Sequence, residues 1–320
     1  MTDLPPTSLV ARSPEDLLAM VPIVIGFAPA ESVVMLTFGA EHTFHARIDL
    51  PTRPAEIDAM VTALLDPARR HGVRRVVLVI YAGNTPPSRR AWRVLRRRFE
   101  RAGIDVLEGL RVHDGRWFPL LGGDLRSREA GVTYDISGHR FAAQAVVDGR
   151  VTHASRDELA GLLDPDAEGV VAVGLLLDGP AAPTTVAVER PWVEALVRRH
   201  VTEGSSVPDA DAARLLRALS DPSLLDAAWS SLTREHAQRH VDLWRDLLRR
   251  TPTPYLPPVA ALLGLAAWQG GQGALAWCAV DRCAEVDAAH PLARYLTSVL
   301  THAVPPDEWQ PESRWGGLSA

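Results

Sequence analysis

Three side chains of this sequence could together perform hydrolysis: the carboxylate of Glu31, the hydroxyl of Ser32 and the imidazole of His113. In many hydrolases a carboxylate orients an imidazole, which in turn takes the proton of a hydroxyl. Glu31 and Ser32 are consecutive residues of a loop over residues 26–32 that is rich in turn-forming residues, whereas His113 lies far along the chain. The set therefore depends on a fold that gathers the ends of several strands.

Further polar residues should lie at the same place, because each follows a strand predicted from the sequence. Asn84 and Thr85 come after the apolar run 76–81, and Asp114 comes shortly after the run 104–112. In mostly parallel sheets, ligands bind beyond the carboxyl ends of the strands. The residues of the predicted ligand-binding edge are Glu31, Ser32, Asn84, Thr85, His113 and Asp114. The alternative is that these polar residues only form or cap turns.

A second candidate site is a stripe of arginines on the helix predicted for residues 89–102. Residues three or four positions apart share one face of a helix. The arginines on this face are Arg90, Arg93, Arg97 and Arg101. Such a stripe could bind the phosphate groups of a nucleotide or a nucleic acid. The alternative is a solvated face whose arginine stems cover apolar surface.

The composition excludes several kinds of chemistry. All 34 basic residues are arginines, so the chain has no lysine for a Schiff base, a Walker motif or a kinase strand. The net charge of -5 argues against a protein whose whole surface binds nucleic acid. No histidine or cysteine spacing completes a set of metal ligands, so we predict no metal site, and no motif identifies a cofactor.

The chain also lacks signals for a membrane. No apolar run reaches the roughly 20 residues that a membrane span needs, and the first residues do not resemble a secretory signal. We expect a cytoplasmic protein. Cys278 and Cys283 fall on different faces of one predicted helix, so we predict buried free thiols rather than a disulfide. The lysine-free, alanine-rich composition is typical of a GC-rich bacterial genome.

The hydrophobic pattern predicts two halves. Residues 10–150 alternate strands and helices, which indicates an α/β half with a mixed, mostly parallel sheet and flanking helices. Residues 151–304 follow a helical pattern and predict an all-α half, with residues 305–320 as a loose tail. For residues 122–151 and 170–189 the pattern does not decide between strand, helix and loop.

Local signals place the first elements. Ser13 should cap a helix that Pro22 ends, because the residue before a proline avoids the helical conformation. The apolar run 33–38 and the alternating run 43–50 should pair as an antiparallel hairpin. An Asp-Gly pair at residues 114–115 predicts the turn of another hairpin.

Several blocks of the sequence resemble a known family. They are Ser13-Pro14-Glu15-Asp16-Leu17-Leu18, Gly26-Phe27-Ala28-Pro29-Ala30-Glu31-Ser32-Val33-Val34, Asp114-Gly115-Arg116-Trp117 and Ala266-Ala267-Trp268. These blocks resemble an actinobacterial family known as domain of unknown function 4192, and the resemblance covers nearly the whole chain. It implies an actinobacterial, cytoplasmic protein and no particular activity.

No catalytic set is complete in the local sequence. We therefore predict a non-enzymatic binding or scaffold protein that uses its helical half for contacts with protein partners. One alternative is a small-molecule hydrolase with its site near residues 26–32. The other is nucleic-acid or phosphate binding through the helix over residues 89–101. The sequence leaves the oligomeric state open.

Overall fold

The computed structural model describes residues 10–40, 44–147, 150–181 and 183–309. The chain forms two compact units, Met1–Arg156 and Asp157–Ala320. Within the tail predicted for residues 305–320, a short 3-10 turn spans Pro306–Glu308, and residues 310–320 lie outside the described residues. Across the described ranges, no helix is both long enough and apolar enough to cross a membrane.

The first unit is built on a mixed sheet of six strands. The strands are β1 Ser32–Phe38, β2 His45–Asp49, β3 Arg75–Tyr81, β4 Asp105–His113, β5 Arg116–Pro119 and β6 Val132–Thr133. They lie in the order β2-β1-β3-β4-β5-β6. The neighbours β3 and β4 run parallel, and the other four neighbouring pairs are antiparallel.

The prediction of a mostly parallel sheet was wrong, and the position of β1 explains the error. Helical connections join β2 to β3 and β3 to β4, which is the alternation that indicates parallel neighbours. However, β1 lies between β2 and β3, so these two strands run in the same direction without pairing. The two predicted hairpins, β1 with β2 and β4 with β5, are present. The few residues that join the two strands of each hairpin allow only antiparallel pairing.

Helices cover both faces of the sheet. The helices of this unit are α1 Pro14–Ile25, α2 Ile57–Arg70, α3 Pro86–Arg101, α4 Leu125–Ala130 and α5 Arg140–Val147. Helices α2 and α3 pack on one face, in a core that includes Val33 and Leu78. Helices α1 and α5 pack on the other face, with Val34 and Val79. Successive residues of a strand point to opposite faces, so β1 and β3 are apolar on both sides.

Helix α1 continues through Pro22, where the sequence predicted its end. It stops instead at Gly26, which has a left-handed φ of 91° and donates its N–H to the Pro22 carbonyl at 2.8 Å. The missing N–H of Pro22 removes one helical hydrogen bond. The burial of Leu18 and Val21 against the sheet outweighs that loss.

The second unit is helical, as predicted. Its helices are α6 Arg156–Gly161, α7 Ala167–Asp178, α8 Val186–Glu203, α9 Asp209–Leu219, α10 Leu225–Trp229, α11 Ala237–Arg249, α12 Leu256–Gln269, α13 Gly273–Ala284 and α14 Pro291–Thr301. Helix α12 is central, because each of its residues except Pro258 is buried. On α13, Cys278 and Cys283 are buried and are not joined in a disulfide, as predicted. Burial raises the pKa of Cys283 to about 12.

Candidate functional site

The beginning of β1 and the ends of β2, β3 and β4 meet at one edge of the sheet. Ser32, the first residue of β1, pairs with Asp49 at the end of β2 and with Tyr81 at the end of β3. Tyr81 also pairs with Val112, near the end of β4. The loops at these strand ends therefore lie together. Two clefts open there, one on each face of the sheet.

The first cleft, here called the tyrosine cleft, has a volume of about 280 Å³. It lies on the face of the sheet that packs against α1, and Leu18, Pro22 and Val112 contribute to its apolar lining. Its polar lining consists of Glu31, Tyr81, His113, Asp114 and Tyr134. This cleft therefore brings together three of the residues predicted at the ligand-binding edge. Glu31 comes from the β1 side, and His113 and Asp114 come from the end of β4.

The polar groups of the tyrosine cleft suit hydrogen bonding to a ligand. The Nε2 atom of His113 lies 3.2 Å from Oδ2 of Asp114. Burial raises the pKa of both Tyr81 and Tyr134, so both phenols are neutral at physiological pH and can donate hydrogen bonds. The cleft therefore combines neutral donors with an imidazole–carboxylate pair.

Glu31 has an unusual backbone conformation at the rim of this cleft. Its φ is 40°, in the left-handed region that residues other than glycine rarely adopt. Asp114 also has a positive φ, 48°, but it forms the two-residue turn between β4 and β5 with Gly115, and that kind of turn requires positive φ. Glu31 lies in no such hairpin turn. Its carbonyl accepts the N–H of Leu50 at 2.9 Å, which holds the strained residue in place.

Ser32 lies outside the tyrosine cleft, although its neighbour Glu31 lines it. Its side chain is fully buried, and its Oγ atom has no hydrogen-bond partner in the described part of the chain. A nucleophilic hydroxyl needs a base within hydrogen-bond reach. The structure therefore brings Glu31, His113 and Asp114 together without the hydroxyl of the predicted hydrolytic set.

The second cleft, here called the arginine cleft, has a volume of about 270 Å³. It lies on the opposite face of the sheet, between the first half of α3 and the strands β3 and β4. Its polar lining consists of Asn84, Ser88, Arg89, Arg93 and Arg111, and its apolar lining of Ile80, Trp92 and Leu120. Three guanidinium groups therefore line a cleft that has no carboxylate among its described lining residues.

Arg111 is the buried arginine of this cleft, only 8% exposed. Its guanidinium carbon lies 3.7 Å from the centre of the Phe118 ring, and its Nη1 atom donates to the carbonyl of Ala82 at 3.4 Å. No described carboxylate forms an ion pair with it. Burial lowers the pKa of Arg111, as expected of a cation that is removed from water without a compensating anion.

The other two arginines extend from α3 at the mouth of the cleft. Arg89 donates from Nη1 to the carbonyl of Asn84 at 2.9 Å, and Arg93 donates from Nε to the carbonyl of Arg89 at 3.4 Å. Both side chains are exposed, and neither forms an ion pair with a described residue. Thr85, which the sequence placed at the ligand-binding edge, caps α3. Its Oγ1 atom accepts the N–H of Ser88 at 3.4 Å.

The structure divides the predicted phosphate-binding stripe. Arg93 lines the arginine cleft, but Arg90 lies toward α2 and forms an ion pair with Asp58 at 3.7 Å. Arg97 and Arg101 are exposed and do not line the cleft. The helical period predicted the charged face of α3, but it did not predict which arginines of that face line a cleft.

Sequence reasoning missed Arg111, Trp92 and Gly109. The Trp92 ring packs directly over Gly109, where an added Cβ atom would lie 2.1 Å from the ring. Gly109 and Arg111 are two positions apart on β4, so they face the same side of the sheet. A single arginine in the apolar end of a strand, two positions from a glycine, is the signal that would have identified this cleft. Across the described residues, no group of three or more metal-ligating side chains could hold a metal ion.

The fold defines the class of protein: an α/β unit that carries the two clefts is followed by a helical unit. The family model described as Domain of unknown function (DUF4192) matches residues 14–307, nearly the whole chain. The chain therefore belongs to this family, which confirms the resemblance seen in its sequence blocks. No curated protein and no solved structure matches the chain.

Proposed function

We propose that this protein binds a small anionic ligand in the arginine cleft and acts as a binding protein rather than as an enzyme. The observation that carries the proposal is Arg111, a buried guanidinium that lines the cleft without a described carboxylate partner. A buried charge without a partner is strongly unfavourable. An anionic ligand would supply that partner.

The surroundings of Arg111 prepare it for such a ligand. The Phe118 ring and the Ala82 carbonyl hold the guanidinium in one orientation and leave most of its N–H groups without a described partner. A preorganised donor loses less conformational entropy when it binds. Arg89 and Arg93 add positive charge at the mouth of the cleft, which raises the rate at which anions arrive.

Isothermal titration calorimetry with inorganic phosphate at low salt tests the proposal. We expect the wild-type protein to bind phosphate and the substitution Arg111→Met to weaken binding by about 2 kcal/mol, roughly 30-fold, because charge-assisted hydrogen bonds are lost. The matched control is Arg97→Met, which removes an arginine of the same helix outside the cleft. We expect the control to change affinity by no more than about twofold, because exposed charges are screened. Equal losses in both variants would contradict a site in the arginine cleft.

The helical unit offers a second candidate function, self-association through α7. The only buried residue of this apolar helix is Val173, and Val171 and Leu175 are 63% and 70% exposed. Side chains four positions apart form one contact face of a helix. The stretch 169–177 has no charged residue, so a partner would need to offer an apolar surface. The same face of a second copy would offer one in a two-fold symmetric contact.

Light scattering after size-exclusion chromatography tests self-association. We expect a dimer that the substitution Leu175→Ser converts to a monomer, whereas Leu125→Ser, a change at an exposed leucine of the first unit, should leave the dimer intact. A monomeric wild-type protein would remove this candidate.

The hydrolase alternative would use the tyrosine cleft. Because Ser32 is buried outside this cleft, hydrolysis there would require a water molecule activated by His113 rather than a serine nucleophile. The observations favour a binding role for this cleft as well.

A further inference from the structure

We infer that the ligand of the arginine cleft is a phosphomonoester, a doubly charged phosphate on a small and partly apolar organic group. This inference rests on the proposed function and names the chemical class of its ligand. Three features of the cleft support it: the directions from which its arginines come, the lack of free backbone donors at the start of α3, and its size and apolar wall.

The arginines come from two different elements. Arg89 and Arg93 extend from α3, and Arg111 extends from β4. A carboxylate is planar, and a single guanidinium can satisfy both of its oxygens. A phosphate group on an ester has three acceptor oxygens and nearly two negative charges. Three guanidinium groups from two elements therefore match a phosphate better than a carboxylate.

The start of α3 lies at the cleft but has few backbone donors to offer. Pro86 and Pro87 occupy the first helical positions and have no N–H. The N–H of Ser88 donates to Thr85 Oγ1 at 3.4 Å, and the N–H of Arg89 donates to the Thr85 carbonyl at 3.1 Å. Many anion sites at helix N-termini use these amides. In this protein the side chains that line the cleft, rather than these amides, would hold the phosphate.

The size of the cleft limits the organic group. Its volume of about 270 Å³ lies near the lower end of small-molecule pockets, which begin at about 300 Å³. Ile80, Trp92 and Leu120 form an apolar wall beside the arginines. A phosphate on a short carbon chain or a single ring would cover this wall. Inorganic phosphate would leave the wall exposed to water.

Calorimetric titration of the full-length protein with four probes tests the inference. The probes are phenyl phosphate, phenyl sulfate, benzoate and inorganic phosphate. Phenyl sulfate keeps the shape of phenyl phosphate with one charge fewer, and inorganic phosphate lacks the apolar ring. We expect phenyl phosphate to bind about tenfold more tightly than each of the other probes. Arg93→Gln changes an exposed position and spares the core, and it should weaken phenyl phosphate binding about tenfold, whereas Arg101→Gln should not.

The possible failures are distinguishable. If phenyl sulfate or benzoate binds as tightly as phenyl phosphate, the phosphomonoester is wrong and the anion-binding proposal stands. Equal affinity for phenyl phosphate and inorganic phosphate would contradict the inference that the ligand carries an organic group. If Arg93→Gln keeps full affinity for phenyl phosphate, the probe binds elsewhere and the inference fails. If none of the four probes binds, the inference and the proposed function both fail.

Discussion

Two clefts open at the same edge of one sheet and carry opposite charges. The arginine cleft has three guanidinium groups and no carboxylate among its described lining residues, whereas the tyrosine cleft has Glu31 and Asp114 and no described arginine. Arg111 and Val112 are consecutive residues of β4, and each lines a different cleft. Because successive side chains of a strand point to opposite faces, one strand end supplies two unlike sites.

The clefts also differ in how their walls are held. Packed secondary structure forms much of the arginine cleft, and the contact of Trp92 with Gly109 fixes α3 against β4. Loops and a hairpin turn form much of the tyrosine cleft, and two of its residues, Glu31 and Asp114, have positive φ. The arginine cleft should therefore respond most to changes in packing and the tyrosine cleft to changes in the backbone.

The largest effect is expected from a methyl group added beneath Trp92. In Gly109→Ala the new Cβ atom would lie 2.1 Å from the ring, so α3 must move away from β4. Overpacking of this kind lowers the free energy of unfolding by about 3 kcal/mol. Urea denaturation measures the loss, and phosphate titration should show a damaged arginine cleft.

The matched control for this change is Gly138→Ala, because an added Cβ atom there would meet nothing within 4 Å. We expect the control to unfold at nearly the wild-type urea concentration. Equal stability of the two variants would show that the contact between Trp92 and Gly109 does not hold the arginine cleft.

An intermediate loss of stability is expected at acidic pH. Because the titrating group lies on the sheet that both clefts share, the loss should affect both clefts together. On β2, burial and then the nearby charge of Arg150 lower the pKa of His45 from 6.5 to about 4. His45 is therefore neutral in the folded state and takes up a proton on unfolding. Its contribution to stability is complete above pH 6.5 and is lost as the pH falls toward 4.

The size of this acid effect follows from the pKa change. The shift corresponds to about 3 kcal/mol at most, and partial solvent access reduces the expected loss to about 2 kcal/mol. Urea denaturation at several pH values between 7 and 4 measures it. His45→Leu should flatten the slope in this range, and an unchanged slope in that variant would assign the acid effect to other groups.

The smallest effect is expected at Glu31 and has the opposite sign. Glycine adopts positive φ without strain, so Glu31→Gly should relieve about 1–2 kcal/mol of strain and lose about 0.5–1 kcal/mol through the greater freedom of the unfolded chain. We expect a gain in stability of about 0.5 kcal/mol, measured by urea denaturation. A loss of stability would show that the Glu31 side chain stabilises the tyrosine cleft. It would contradict the view that side-chain packing matters more in the arginine cleft and backbone conformation more in the tyrosine cleft.

The candidate sites show where reasoning from sequence stops. Helical periodicity predicted α3 and its charged surface, yet Arg93 is the one member of the predicted stripe that lines the arginine cleft. Its buried partner, Arg111, comes from another element. The loop over residues 26–32 lies at the strand ends, as predicted. However, Ser32 begins the buried strand β1, whereas Glu31 precedes that strand and lines the tyrosine cleft.

The sequence alone determined many of the elements and the division into an α/β half and a helical half, but not the elements within residues 122–151 and 170–189. The period of the apolar residues and the capping and turn residues predicted the two hairpins, the helix α3 and the helical second half, because these features depend on residues close together in the chain. Only the tertiary structure decided that β1 lies between β2 and β3, and which arginines face a common cleft. Strand order and the burial of a charge depend on contacts between residues distant in sequence, and no local pattern records those contacts.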